Sequence, residues 1–207
     1  CDTFCAETYE SQEEVDACMN GCLWAVLSLA DEMMGEGLGG ETSFVTASED
    51  GLCTYRTEEI AFSFKCPPNT EMQEDPMSGS VAFLSPLLYD FGDMFAENVN
   101  IIVDDLAKYD DITLEKFIAM TRLSIETFLT DPEYVDDSSY EMGGVPAHKL
   151  IYTGKMDMSG IKYELKWEQV TVLHNNKGII ITYTCEPEKH EEYRNLLLSI
   201  IETFEFL

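Results

Sequence analysis

The chain has 207 residues and a mass of 23.4 kDa, 45% of them hydrophobic and 11% aromatic, so it can bury a substantial core and its charge belongs on a folded surface. Forty acids against twelve bases give a net charge of −28 and a pI near 4.1, which excludes nucleic acid and an anionic membrane face as partners by simple repulsion. Charge of this density fits a salt-rich habitat, as in halophilic proteins, or bound cations.

The first 22 residues hold Cys1, Cys5, Cys18 and Cys22, two C-x-x-x-C pairs, and twelve acids precede the first base, Arg56. Thiols four residues apart share one face of a helix, so an antiparallel helical hairpin over 1–34 can be stapled twice, Cys1 to Cys22 and Cys5 to Cys18. Two alternatives stand beside this. A chain that opens on cysteine is what lipoprotein processing leaves, with Cys1 as the lipid anchor, and seven cysteines less one leave six for three bridges. The same four thiols could also hold zinc, although no histidine lies near them. Disulfides and a lipidated cysteine both place the protein in an extracytoplasmic setting, secreted or anchored at the cell surface. No stretch reaches the roughly 18 apolar residues of a membrane span.

Ser11 to Glu14 is a capping box opening a helix to about Met34, with Val15, Cys18, Cys22, Val26, Leu29 and Met33 on one stripe. Gly35, Gly37, Gly39 and Gly40 begin a linker over 35–50. Residues 51–207 form the main domain. There, Thr54–Arg56 and Ile60–Cys66 are predicted strands that make Cys53 and Cys66 near cross-strand neighbours and a candidate third disulfide. Ser80–Leu84 and Asn98–Val103 are further strands. Thr113 caps a helix running to Leu129, with Leu114, Phe117, Ile118, Ile125, Phe128 and Leu129 facing inward.

Ala147–Thr153, Lys162–Leu173 and Gly178–Cys185 read as the strongest strands. In the second of these, Tyr163, Leu165 and Trp167 alternate with Lys162, Glu164, Lys166 and Glu168, an apolar face backed by a charged one. Asn175, Asn176 and Gly178 supply a hairpin turn. A last helix over Lys189–Glu202 and a short strand within Phe204–Leu207 close the chain. The predicted class is α+β, an antiparallel β-sheet covered by helices in an α/β/α sandwich, with the disulfide-linked helical segment attached in front.

Ile60 to Pro68 (IAFSFKCPP), Asn98 to Leu106 (NVNIIVDDL), Thr113 to Phe117 (TLEKF) and Gly144 to Thr153 (GVPAHKLIYT), followed by GIIITYTC and YRNLLLSIIETFEF, come in an order that resembles the PsbP-like family. That family includes an extrinsic protein of the oxygen-evolving photosystem, bacterial and mycobacterial lipoproteins and a Ran-binding import factor. The resemblance covers about Cys53 to Leu207. It implies a scaffold without an active site, whose members bind other proteins or sit at a membrane surface. One departure is local: the family places a tryptophan after the first strand's proline, where this chain has Asn69, Thr70, Glu71 and Met72.

Catalytic signatures are sparse. His148, His174 and His190 fall in no metal-binding spacing and read as surface or half-buried residues, and neither a G-x-S-x-G elbow nor a phosphate loop occurs. Cys185 is the expected unpaired thiol, with Lys189 or His190 the near candidates to activate it. Asp104, Asp105, Asp110 and Asp111, with Asp131, Asp136 and Asp137 after the helix, would offer oxygen ligands for calcium if two loops met. No other cofactor is expected. The sequence thus points to a non-enzymatic binding or assembly protein acting on a basic or neutral protein partner. A calcium-dependent surface module is the alternative, and an enzyme would be marked by Cys185 or His148 beside an acid of raised pKa.

Overall fold

The computed structural model describes residues 51–56, 60–66, 70–74, 81–84, 95, 97–106, 109, 111–158 and 161–207. The predicted hairpin of 1–34, its bridges Cys1–Cys22 and Cys5–Cys18, the linker of 35–50 and Asp110 lie outside the described residues.

The strands are β1 (Leu52–Arg56), β2 (Ala61–Lys65), β3 (Glu71–Glu74), β4 (Val81–Leu84), β5 (Asn98–Asp105), β6 (Thr130–Met142), β7 (Val145–Met158), β8 (Ile161–His174), β9 (Lys177–Cys185) and β10 (Glu205–Phe206). The helices are α1 (Leu114–Phe128) and α2 (His190–Ile201), the latter entered through a 3-10 turn at Pro187–Lys189. Seven strands form one antiparallel sheet in the order β3-β4-β5-β9-β8-β7-β6. The α+β class is as expected. The single layer is not, because β1, β2 and β10 make a separate three-stranded sheet.

Local chemistry explains the joints. Thr113 caps α1, its hydroxyl accepting from the Lys116 amide at 3.2 Å. At the other end Leu129 is already extended, and β6 begins with the next residue. Asn175 and Asn176, both left-handed with φ of 50° and 58°, turn β8 into β9, as the Asn-Asn-x-Gly sequence predicts. Gly143 and Gly144 turn β6 into β7 in the same way, and a side chain at Gly143 would collide with Phe206.

Strand register sorts the residues of the large sheet into two faces. On one, Val99, Ile101, Val170, Val172, Ile179, Ile181 and Tyr183 pack against Phe62 and Phe64 of β2, Leu197 and Ile200 of α2, and Phe204. On the other, Leu150, Tyr152, Leu165 and Trp167 pack against Ile125 of α1 and Leu129 just beyond it. Burial of each large apolar side chain contributes about 1.5–3 kcal/mol. At Gly178 the Phe117 ring of α1 lies 2.5 Å from where a Cβ would be.

Candidate functional site

Cys53 and Cys66 form a disulfide with Cα atoms 5.3 Å apart, placed by the β1–β2 register and by the hydrogen bond from the Cys66 amide to the Gly51 carbonyl. The aspartates proposed as calcium ligands are more dispersed. Asp104 and Asp105 end β5, opposite Gly178 and Lys177, and Lys177 Nζ lies 3.0 Å from the Asp105 carboxylate. Asp111 is exposed, and its carbonyl accepts from Lys116 Nζ at 3.0 Å. Among the described residues, no three histidine, cysteine or acidic side chains converge as metal ligands. Asp131, Asp136 and Asp137 are not in a loop as expected: they lie on β6, each beside a cationic side chain.

Two of the histidines sit in similar groups. On the β6 side, Asp137 Oδ1 is 2.8 Å from His148 Nε2, and its other oxygen accepts from Arg122 Nη2 of α1. The arginine also lies over the Tyr134 ring, 5.7 Å from its centre. Beneath α2, Arg194 donates to Glu168 through Nε at 2.6 Å and Nη2 at 2.7 Å, and His190 Nε2 is 3.0 Å from the same carboxylate. His190 Nδ1 meets Glu191 at 3.0 Å. Burial would push the Glu168 carboxyl up, but the Arg194 hydrogen bonds and charge, with His190 and Lys149, outweigh it and hold the group below the usual carboxylate range. His190 is therefore not the surface or half-buried residue expected, and Glu168 is not on an open charged face: both are buried. The third histidine, His174, lies against Phe206 with ring centres 4.2 Å apart.

Cys185 is a free, fully buried thiol whose Sγ donates to the Lys166 carbonyl at 3.6 Å. Burial pushes it up to about 12, so it is held as the thiol. Neither proposed activator serves it, since His190 is engaged by two carboxylates and Lys189 is paired with Glu97 and Glu186. An acid of raised pKa does lie near this thiol: Glu97 is fully buried, its Oε2 has no hydrogen-bond partner among the described residues, and burial pushes its carboxyl upward. Its charge raises the thiol further rather than activating it.

The least closed part of the described structure is β6. It is an outermost strand of 13 residues, and among the described residues nothing pairs with its outer side. Bulges interrupt its register between Thr130 and Glu133 and between Tyr134 and Asp136, where Pro132 and the exposed Val135 lie. From Asp136 to Met142 the pairing with β7 is regular, and Asp137, Ser139 and Glu141 are exposed. Sequence reasoning missed this strand because polar residues occupy both of its faces. The faint alternation of Tyr134, Tyr140 and Met142 was the available signal.

No family model and no curated protein sequence matches the chain. Solved structures do. LpqN, involved in cell envelope biogenesis of Mycobacterium tuberculosis, is 12% identical over 75% of this chain and 90% of its own, with a TM-score of 0.48. The cyanobacterial PsbP (CyanoP) of Synechocystis sp. PCC 6803 is 13% identical over 82% and 99%, with a TM-score of 0.48. The Ran-binding protein Mog1p of Saccharomyces cerevisiae is 13% identical over 70% and 89%, at 0.43. No helix among the described residues is long and apolar enough to cross a membrane.

Proposed function

We propose that the protein is an extracytoplasmic, non-enzymatic binding or assembly protein that works through protein–protein contacts, either free or held to the cell surface by a lipid on Cys1. The observation that carries this reading is the outer edge of β6, which no other strand pairs among the described residues. A strand edge presents a row of backbone donors and acceptors that a second chain can complete, and proteins leave a long one uncovered at a cost in solubility. The Cys53–Cys66 bridge supports the oxidising compartment. The engagement of His148, His190 and Cys185 in internal contacts supports a non-catalytic role.

Panning a random peptide library against the full chain, followed by hydrogen exchange on the complex with an enriched peptide, tests the reading. Slowed exchange at β6 is expected. Failure of any peptide to enrich would count against a protein-binding role, as would enrichment of peptides that protect none of the β6 amides.

A further inference from the structure

We propose that the partner supplies an extended, lysine- or arginine-bearing segment that adds to Asp136–Met142 as an eighth strand of the large sheet; this inference rests on the protein-binding reading above and names the chemistry of the partner. Geometry limits the docking stretch. The two bulges twist and interrupt β6 before Asp136, so a straight incoming strand can follow the edge only from Asp136 onward, where the β6–β7 register is unbroken. Along that stretch Asp137 and Glu141 point to the α1 side of the sheet and Asp136 to the α2 side, so an incoming strand meets carboxylates on both faces.

Charge decides among the three possible occupants. A second copy pairing edge to edge about Ser139 would set Asp137 directly against Glu141 on both sides of the axis, and cross-strand like charges repel. It would also join two chains of net charge −28. The protein's own leading segment carries twelve acids and no base before Arg56, so it meets the same repulsion. A cationic segment from another protein removes the conflict. It gains pairing with Glu141, which has no basic partner among the described residues, and with the exposed sides of Asp136 and Asp137, whose carboxylates are about one-third exposed while already in contact with Lys149, Arg122 and His148. Val135 at the bulge leaves an apolar contact for the end of such a strand.

The test uses the full chain and three decapeptides: one alternating lysine and valine, one alternating glutamate and valine, and one with the lysine composition but two central prolines. Fluorescence anisotropy reads affinity and hydrogen exchange reads the site. The lysine–valine peptide is expected to bind at least about tenfold more tightly than the other two, to slow exchange within Asp136–Met142, and to weaken as salt is raised. In E141K its affinity should fall about tenfold, whereas E133K, altered in the bulged part, should change it less than about twofold. Equal binding of the proline peptide would mean attraction to net charge alone and would overturn the inference. So would β6 amides already protected in the free chain, which would make the leading segment the occupant. If panning instead enriches neutral or acidic strands that protect β6, the protein-binding reading stands and the cationic partner falls.

Discussion

Glu168 and Asp137 each hold one arginine and one histidine, yet they occupy opposite environments. The Glu168 side chain is 1% exposed and lies under α2, with His190 at 5%, whereas Asp137 and Arg122 sit at the sheet's rim with about a third of each side chain in water. The same set of side chains thus serves two physical purposes. Beneath α2 the carboxylate and the imidazole have left water, and Arg194, with 28% of its side chain exposed, reaches in to Glu168, so the carboxylate needs its partners and the group fixes where the helix sits. At the rim the charges keep part of their hydration, so their mutual attraction is screened and they stay available to another molecule.

The largest expected effect comes from breaking the buried group. Glu168→Gln leaves Arg194 and His190 facing a neutral amide, and removal of one partner from a buried charge cluster costs about 3–5 kcal/mol. Denaturant melts at neutral pH should read that loss. Because the folded carboxyl is held below its unfolded value, its contribution is complete above the unfolded value and is lost as pH falls through the folded one. The gap between wild type and variant should therefore narrow in acid. A constant gap across that window would mean that the charge of Glu168 is not what holds α2.

Gly178→Ala tests the opposite face. The new methyl meets the Phe117 ring at 2.5 Å and Leu106 at 2.9 Å, so α1 must shift or the ring must leave its place. A cost of about 1–3 kcal/mol is expected in the same melts. A neutral result would show that α1 is loosely seated and that the rim charges near Arg122 hold no fixed geometry.

Glu97→Gln should move stability the other way. Its folded carboxyl is raised by burial and one oxygen has no partner among the described residues, so the wild-type group stabilises the fold only when protonated, and that contribution is lost as pH rises through the raised value. The amide should add about 1 kcal/mol at neutral pH. The gain should vanish on acidification, which pairs it against Glu168→Gln as a change of opposite sign.

Much of this architecture was legible because the physics is local. Alternation in Tyr163–Trp167, the long apolar run of β9, the Asn175–Asn176 turn, the Thr113 cap and the Cys53–Cys66 pairing all follow from residues close in the chain. What was not legible depends on distant partners. Glu168 read as part of an open charged face because the residues that cover it, His190 and Arg194, come 22 and 26 positions later; their i,i+4 spacing on one helix was the available hint. β3 was missed because four residues carrying two acids give no period. β6, the part most relevant to function, looked like a loop for the reason that suits it to be an edge: an outer strand tolerates Asp, Ser and Pro that an interior strand would not.

The smallest expected effect lies at that edge. Asp137→Asn removes the charge facing Arg122 and His148, but all three side chains reach water, and exposed pairs contribute under about 1 kcal/mol. The melt should barely move, and the small difference should shrink further in high salt, where the buried Glu168 group keeps its effect. If binding rather than folding is the purpose of this carboxylate, the substitution should weaken the lysine–valine peptide while leaving stability nearly unchanged. A loss of stability as large as that of Glu168→Gln would erase the distinction between the two sites, because it would make the rim as structural as the core.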